Sequence, residues 1–494
     1  MGIIKKQSIQ GTIYSYIGVV LGFITTGILF PRVLSTDEVG LLRLLVSVSI
    51  LFSQFAGLGF NTVAVRNFPF FRNADKGHHG FLRLSLLVSL AGFVLSMIVF
   101  FLMKPWLIKE NIEKSALFID YILYLIPLIF FSTFFNILDT YYRVLYNAIK
   151  GLIYKEIWQR FFILAAILAY FFTWLSFHQL VVVYVIALSF PAVMITFSLI
   201  IKGNFHLGRD KGFISKKLAR QMTSVAFFGI ITSYSGVLIM NIDVVMINHA
   251  LGLADTGIYA LSFYFGTLVL IPSRPVIKIA SVMLADGFKE NNLKKIADIY
   301  YKSNITLCTI GLMLFLGLLI NIDNIITILG PDYEAGKYVV VFIGLANFFE
   351  MSTSVSQNVI TNSPHYKVIT WLMLLFVGLL IVTNLFFIPR FGIVGAAFAS
   401  AFSRFIFNLL SWLFLVRKYH LQPFNIKYLI LLSVGLGSFL VAWLMPEMSW
   451  FGWDIIIRST LFSLLFGVFI YYLKVSDDIN QSIDTVFRKI GLMK

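Results

Sequence analysis

Fourteen long apolar segments determine what this chain can fold into. Each is long enough to cross a hydrocarbon core of about 30 Å as a helix, and the apolar residues run continuously instead of alternating as in barrel strands. Hydrophobic residues make up 59% of the 494 residues and charged residues only 13%. We therefore predict an all-α integral membrane protein with fourteen transmembrane helices. The segments span roughly residues 9–30, 40–65, 82–103, 117–138, 152–172, 180–201, 222–247, 256–277, 303–320, 338–360, 368–388, 393–416, 428–445 and 454–473.

Basic residues are distributed unevenly among the links between these segments. The net charge is +16, and most basic residues lie in alternate links, including the two longest, 202–221 and 278–302, and in the C-terminal tail. Basic links stay in the cytoplasm and meet anionic lipid headgroups. Both termini are therefore predicted to be cytoplasmic, at the cell inner membrane, and membrane lipids rather than nucleic acid are the expected partners of this charge. The opposite links carry only Arg32, Lys104, Lys109, Lys114, Lys337 and Arg390.

A short turn occurs twice in the chain. Leu34 to Gly40 reads L-S-T-D-E-V-G and Leu251 to Gly257 reads L-G-L-A-D-T-G, so that leucine, an acid and glycine fall in register. Two copies of one turn suggest two copies of one half of the protein. We accordingly expect a first lobe of six helices over 1–215, a second over 216–420, and two further helices with a cytoplasmic tail over 421–494.

Charged residues inside the apolar segments are functional candidates, because a charge in lipid is costly and faces the protein interior. Arg43 and Asp243 lie at similar depth, about one turn below the outer surface, which suits a gate on that side. Glu350 and Arg404 lie near the midplane, where they could take part in gating or ion coupling or form a buried structural pair. Arg458 is interpreted as snorkelling toward the outer surface.

Arg43 and Arg274 are also candidates for binding a diphosphate. Guanidinium matches phosphate with a planar fork of donors and keeps its charge when it is desolvated. Arg274 lies between Pro272 and Pro275, and prolines that interrupt a spanning helix are tolerated where helices bend around a cavity. The alternative is that each arginine is paired with a carboxylate or a carbonyl elsewhere in the fold.

Uncharged polar side chains give a weaker indication of a sugar-binding surface. The candidates for contact with sugar hydroxyls are in the second, seventh and eighth segments, at Gln54, Asn61, Asn241 and Tyr264. The alternative is that such side chains form hydrogen bonds between helices and have no ligand.

Several chemistries are not indicated by the sequence. It contains no Gly-x4-Gly-Lys-Ser/Thr phosphate loop and no histidine pair with metal-ligand spacing. No link is long enough to house a catalytic domain. We therefore predict that the protein is not an enzyme and needs no metal or cofactor, other than a proton or a sodium ion if transport is coupled to one.

Three local patterns resemble those of a known superfamily. They are Asn241-Ile242-Asp243 leading to Gly257-Ile258-Tyr259, the turn from Leu34 to Gly40, and the I-P-R-F-G-I-V-G-A-A stretch from Ile388 to Ala397. Together with length and topology, they resemble the polysaccharide flippases of the multidrug/oligosaccharidyl-lipid/polysaccharide exporter superfamily, the Wzx-like O-antigen and capsule transporters.

This resemblance implies two pseudo-symmetric six-helix lobes, a central cavity lined by helices 1, 2, 7 and 8, and alternating access. It implies a flippase that translocates an undecaprenyl-diphosphate-linked oligosaccharide for cell-surface polysaccharide biosynthesis. A polysaccharide polymerase and a chain-length regulator are the partner proteins to consider. Related lipid II flippases keep cationic residues on helices 1, 2 and 8; Arg43 and Arg274 fall on the last two, whereas helix 1 here is uncharged.

Two other functions remain open. One is an ion-coupled exporter of drugs or metabolites from the same superfamily, although the extra helix pair argues against the drug-exporting branch. The other is a membrane polymerase or ligase of lipid-linked glycans, which usually needs a large outer link. The sugar, the coupling ion and the oligomeric state are not determined by the sequence.

Overall fold

The fold is helical throughout the part of the chain that is described. The structure is a computed structural model and describes residues 2–208, 210 and 212–490. It is 87% helix, and the described residues form no strand. The predicted all-α class is therefore confirmed. Three basic residues that were assigned to inner links, Arg209, Lys211 and Lys494, lie outside the described residues.

The chain divides into two compact units, Met1–Ala260 and Leu261–Lys494. The helix Lys216–Leu251, which we expected to open the second lobe, belongs to the first unit because it packs against the helices of the second apolar segment. The compact units are defined by contacts between residues, whereas the lobes were predicted from the repeated turn. The division into lobes at residue 215 therefore stays a prediction, and each unit is described by itself.

The described residues of the first unit form eleven α-helices and the start of a twelfth. Short 3-10 turns at Gly77–Gly80 and Ile122–Tyr124 and π-helical turns at Phe23–Leu29 and Tyr154–Trp158 lie between or within them. The α-helices are α1 Gly2–Gly22, α2 Phe30–Val33, α3 Thr36–Ala56, α4 Phe60–Phe71, α5 Phe81–Asn111, α6 Ala116–Tyr121, α7 Leu125–Val144, α8 Ile149–Ile153, α9 Gln159–Phe171, α10 Phe177–Ile201, α11 Lys216–Leu251 and α12 Leu253–Thr267.

The second unit contains the end of α12 and eight further α-helices. A 3-10 turn at Leu268–Leu270 and Pro272 separate α12 from the next helix, so the predicted span 256–277, in which the prolines suggested a bend, is divided between two helices. The helices are α13 Ser273–Lys289, α14 Leu293–Ile320, α15 Ile322–Leu329, α16 Lys337–Asn362, α17 Lys367–Tyr419, α18 Ile426–Trp443, α19 Phe451–Tyr472 and α20 Asp477–Ile490.

Twelve helical stretches of the described chain are long and apolar enough to cross a membrane. One of them, α17, is interrupted at Gly392, whose φ of 58° and ψ of −141° leave the helical region. The helical stretch from Ile149 to Phe171 is not among the twelve. A multi-pass integral membrane protein is thus confirmed, whereas the count of fourteen spans stays a prediction.

Aromatic side chains form the core of the first unit. Phe68, Phe71, Phe81 and Tyr141 are fully buried between α4, α5 and α7. The rings of Phe68 and Tyr141 meet edge to face, with centroids 5.7 Å apart. Lipid is as apolar as these side chains, so the helices are held together by such close packing rather than by exclusion of water.

A break in the second apolar segment brings α4 close to α11. Leu58 and Gly59 adopt positive φ angles of 45° and 68° between α3 and α4. A Cβ atom on Gly59 would lie 2.2 Å from the carbonyl oxygen of Ala226. Glycine is therefore required here both for the backbone conformation and for the contact between helices.

The second unit has a separate core between α14, α18 and α19. Leu312, Phe462 and Phe466 are buried within it. A Cβ atom on Gly435 of α18 would lie 2.7 Å from Leu312 Cδ2. The last two predicted spans are thus packed against α14, within the body of the second unit.

Candidate functional site

The two copies of the duplicated turn contact each other in the first unit. A Cβ atom on Gly40 would lie 2.0 Å from the carbonyl oxygen of Leu253, and a Cβ atom on Gly257 would lie 1.9 Å from that of Thr36. Thr36 and Leu253 occupy equivalent positions in the repeat, so the contact is reciprocal. Only glycine at both positions allows α3 and α12 to approach this closely.

The remaining residues of the turn start these helices. The amide of Ser35 donates to Glu38 Oε2 at 2.8 Å, and the amide of Glu38 donates to Ser35 Oγ at 3.3 Å, which together form a capping box. In the second copy, Gly252 has a φ of 101° and Asp255 lies in the first turn of α12. The leucine–acid–glycine pattern is therefore a helix start followed by a glycine contact between helices.

Just below this contact, a tyrosine lies near both members of the predicted outer gate. The hydroxyl of Tyr259 donates to Asp243 Oδ2 at 2.8 Å, and both side chains are buried. Arg43 is partly buried, and the hydroxyls of Tyr184 and Tyr259 lie near enough to act on its charge. Arg43 and Asp243 are thus brought to the same region, with Tyr259 as a common neighbour. Their roles in gating and in diphosphate binding stay predictions.

A buried polar clasp connects the end of α11 to the end of α5, and the sequence analysis missed it. The side chain of Asn248 donates to Asn111 Oδ1 at 2.7 Å and accepts from Ser115 Oγ at 2.8 Å. All three side chains are buried. The only signal in the sequence was a polar residue directly after an apolar segment, which is also common at the end of any spanning helix.

Further contacts on either side of Asn248 join the end of α11 to the link after α5. Lys114 Nζ donates to the carbonyl oxygen of Ala250 at 2.7 Å, where a cation also complements the helix C-terminus. A Cβ atom on Gly252 would lie 2.6 Å from the carbonyl oxygen of Lys114. His249 Nδ1 lies 3.7 Å from Glu110 Oε2. The end of α11 is therefore held against the link after α5 along several residues.

Three of the predicted sugar-contacting residues lie in the first unit. The side chain of Asn241 is buried and donates to the carbonyl oxygen of Val237 in its own helix at 3.0 Å. Asn61 has a buried Oδ1 atom without a hydrogen-bond partner among the described residues, and Gln54 is partly buried. None of these contacts tests sugar binding, which stays a prediction.

In the second unit, Arg404 is held by an amide. Its Nη1 donates to Asn347 Oδ1 at 3.0 Å, and Asn347 Nδ2 donates to the carbonyl oxygen of Gly266 at 3.0 Å. A Cβ atom on Gly266 would lie 2.7 Å from Ile343 Cγ2, so glycine lets α12 come close enough for this bond. Arg404 Nε is buried without a hydrogen-bond partner in the described part of the chain.

Glu350 is also bound by amides rather than by the arginine. Its two carboxylate oxygens accept from Gln357 Nε2 at 2.9 Å and from Asn408 Nδ2 at 3.5 Å. Within the described residues, Glu350 and Arg404 do not form the direct ion pair that their equal depth suggested. Counting residues does not predict which side chains of two facing helices pair, and here each charge meets an amide about one turn away from the other charge. Gating or ion coupling by Glu350 and Arg404 stays a prediction.

Arg274 and Tyr264 lie on either side of the break between α12 and α13. Arg274 is the second residue of α13 and is exposed. Tyr264 is partly buried in α12, and its ring centroid lies 6.1 Å from that of Phe265. Exposure of Arg274 leaves its guanidinium accessible to an anion, as the predicted role requires, but does not identify one.

Arg458 does not snorkel. Its Nε lies 2.9 Å from Asp454 Oδ1 one turn earlier in α19, and both side chains are only 8% exposed. The interpretation as a lone snorkelling arginine is therefore wrong, because Asp454 at the start of the last apolar segment supplies a buried counter-charge.

The candidate side chains do not form a metal site. Among the residues that the structure describes, no three His, Cys, Asp or Glu side chains converge as they would around a metal ion. The single cysteine, Cys308, is buried in α14. The charged and polar groups are instead distributed over several spanning helices.

Solved membrane transport proteins share this fold. The lipid II flippase MurJ in an inward closed conformation superposes with a TM-score of 0.76 at 16% identity, covering 94% of this chain and 99% of that chain. An inward-facing multidrug resistance MATE family transporter of the MOP superfamily gives 0.58 at 15% identity, covering 81% and 97%. The MATE multidrug transporter DinF-BH gives 0.59 at 15% identity, covering 86% and 97%. The fold therefore defines a multi-pass membrane protein with the architecture of flippases and transporters.

The family follows from the sequence itself. A family model described as polysaccharide biosynthesis protein matches residues 5–284, which is more than half of the chain. The chain belongs to this polysaccharide biosynthesis protein family. An uncharacterized membrane protein of Methanocaldococcus jannaschii is 22% identical over 244 residues, or 47% of this chain and 46% of that protein, so the chain matches about half the length of this relative. Family and fold together show a multi-pass membrane protein of a polysaccharide biosynthesis family.

Proposed function

We propose that this protein is a flippase that moves an undecaprenyl-diphosphate-linked oligosaccharide from the inner to the outer leaflet of the cell inner membrane. In this proposal both termini are cytoplasmic, and the glycan is delivered to a polymerase and a chain-length regulator for cell-surface polysaccharide biosynthesis. Membership of the polysaccharide biosynthesis family is the observation that carries the proposal.

The environment of Arg43 supports a role in binding the diphosphate. A partly buried guanidinium near two tyrosine hydroxyls has N–H groups that can donate to a phosphate oxygen. An arginine whose donors were occupied by a carboxylate would lose that capacity. Arg274, exposed at the start of α13 in the second unit, is the second proposed contact.

Alternating access would be governed by the outer end of the first unit. The reciprocal glycine contact and the Asn248 clasp both hold helices together there. In the proposed cycle these contacts close the outer side while the substrate enters from the inner leaflet, and they separate for release. A proton or a sodium ion is proposed to couple at Asp243 or Glu350, the acids that lie within the spanning helices.

The proposal is tested by measuring where the substrate accumulates. In cells depleted of the protein, undecaprenyl-diphosphate-linked oligosaccharide should rise several-fold and stay unreactive toward an impermeant glycan-oxidising label that is applied outside spheroplasts. Wild-type protein should restore labelling, and Arg43→Ala should not. Arg390→Ala is the matched control, because Arg390 is exposed and stacks on Phe386 of its own helix.

The same experiment distinguishes a flippase from an exporter of drugs or metabolites. The fold shared with multidrug transporters favours a drug or metabolite exporter as the second candidate. An exporter would leave the lipid-linked pool and its labelling unchanged on depletion and would alter sensitivity to cationic dyes. That result would refute the flippase proposal.

A further inference from the structure

A polar cavity in the second unit has no part in the function proposed so far. It has a volume of about 300 Å³ and lies between α15 and the link that joins α18 to α19. The charge bias of the links predicts that this is the outer side of the membrane. The residues that line it and that carry the argument are Asp323, Asn324, Thr327, Glu447, Trp450 and Asp454.

A hydrogen-bonded ion pair forms the floor of the cavity. Asp454 and Arg458 are both nearly buried, and Asn324 Nδ2 donates to Asp454 Oδ2 at 2.6 Å. The amide of Met448 donates to Asp454 Oδ1 at 3.2 Å, and Arg458 Nη2 donates to the carbonyl oxygen of Met445 at 3.0 Å. These bonds hold the link against α15 and α19, so the cavity is rigid before any ligand arrives.

An indole ring forms one wall. Trp450 is 52% exposed, and its ring lies over Gly452, where a Cβ atom would approach Trp450 Cη2 to 2.4 Å. Trp453 is a neighbour, with ring centroids 5.8 Å apart and an interplanar angle of 74°. Gly452 is therefore needed to seat the indole.

The rim of the cavity carries hydrogen-bonding groups that do not bond to the Asp454–Arg458 pair. Thr327 and Asp323 are exposed one turn apart on α15, and Glu447 is exposed on the link. Asp323 also bonds to Lys337 at the start of α16. Carboxylates and hydroxyls around an apolar ring match an uncharged ligand that carries several hydroxyl groups.

We propose that this cavity is a binding site for a neutral saccharide unit on the outer side of the protein. Its volume holds about ten water molecules, or one pyranose ring. The apolar C–H face of the ring would pack on the Trp450 indole, while its hydroxyls would donate to Glu447, to Asp323 and to Thr327 Oγ1, whose own proton is donated to the carbonyl oxygen of Asp323. The two rim carboxylates disfavour an acidic sugar. The inference rests on the proposed function, and it assigns this cavity to the glycan part of the translocated lipid.

Saturation-transfer difference NMR tests the site on the full chain in lipid nanodiscs. The probes are methyl glycosides of N-acetylglucosamine, galactose and mannose, with glucuronic acid as the acidic comparison. We expect saturation transfer to the ring protons of at least one neutral glycoside and a weaker signal for glucuronic acid. Trp450→Ala should weaken binding about fivefold or more, since loss of an aromatic contact of about 1 kcal/mol corresponds to that factor.

Two further variants keep the result interpretable. Trp443→Ala removes a similarly exposed tryptophan from α18 outside the cavity and should leave binding unchanged. Glu447→Gln removes one rim charge and should raise the glucuronic acid signal relative to the neutral glycosides. Thermal unfolding of each variant shows that the fold is retained.

Other outcomes overturn the inference. Absence of saturation transfer from all neutral glycosides at millimolar concentration would do so, as would equal transfer in wild type and Trp450→Ala. Loss of a bound phospholipid from Trp450→Ala alone in native mass spectrometry would assign the cavity to a headgroup instead. Flipping is measured separately by outside labelling, so sugar binding without flipping would refute the proposed function and leave the binding site in place.

Discussion

Gly40 and Gly257 occupy equivalent positions of an internal repeat and contact each other's helices reciprocally. A Cβ atom on either would lie about 2 Å from a carbonyl oxygen of the other helix, at Leu253 and Thr36. No flexible side chain is involved that could move aside. The repeat therefore produces a local two-fold contact between backbones at the outer end of the first unit.

Gly40→Ala and Gly257→Ala are each expected to prevent this closure, because an added methyl group would force α3 and α12 apart. Outside labelling of the substrate should fall by roughly an order of magnitude, and amide hydrogen exchange should increase at residues 36–44 and 253–260. Gly236→Ala is the control. A Cβ atom there meets nothing within 4 Å, and alanine favours a helix over glycine by up to about 1 kcal/mol. Unchanged exchange in both glycine variants would contradict the prediction.

Asn248→Ala should loosen the clasp between α11 and the end of α5. It leaves Asn111 and Ser115 without their partner, and an unsatisfied buried group costs about 1–3 kcal/mol. Hydrogen exchange should increase locally at residues 108–118 without global unfolding. Thr232→Val serves as control because Thr232 bonds only to carbonyls of its own helix. Equal hydrogen exchange at residues 108–118 in the two variants would show that the clasp does not hold α11 against the end of α5.

Reversal of the charges at positions 43 and 243 tests the predicted gate. Arg43→Asp and Asp243→Arg should each abolish outside labelling, because each places two like charges in the region around Tyr259. The double variant should recover a measurable fraction, since opposite charges are restored. A double variant no better than either single one would show that the two residues act independently.

Asn347→Leu should destabilise the second unit. It removes the amide that binds the guanidinium of Arg404, and a hydrogen bond to a charged group contributes about 1.5–3 kcal/mol. The melting temperature in detergent should fall by several degrees and should recover in the double variant Asn347→Leu/Arg404→Met.

The control for this pair is Asn358→Ala, because Asn358 lies on the same helix and bonds only to the carbonyl oxygen of Ser354. It should leave the melting temperature nearly unchanged. Failure of Arg404→Met to restore stability would mean that Asn347 acts through Gly266 rather than through the arginine.

Local patterns predicted local features well. The apolar segments predicted an all-helical membrane protein, and the proline pair lies where the predicted span 256–277 is divided between α12 and α13. The repeated turn was visible because leucine, an acid and glycine each have a structural reason to recur: a core contact, a helix start and a close approach of backbones.

Pairing between distant side chains was not predictable in the same way. Glu350 and Arg404 were placed at equal depth, yet each bonds to an amide of the facing helix about one turn away from the other charged residue: Arg404 to Asn347 and Glu350 to Asn408. Arg458 looked isolated until Asp454, one turn away at the edge of its segment, was found to bond to it. Asn248 was overlooked because its partners lie more than a hundred residues earlier in the chain.

The sequence by itself determined that this protein spans a membrane, that it is built of helices, and that one turn is duplicated. Those properties follow from apolar length and from backbone chemistry, which act within a few residues. Only the tertiary structure decided that the two turns contact each other through Gly40 and Gly257, and that the Tyr259 hydroxyl bonds to Asp243 and lies near enough to Arg43 to act on its charge. Such contacts depend on the rotation and approach of whole helices, which no short stretch of sequence encodes.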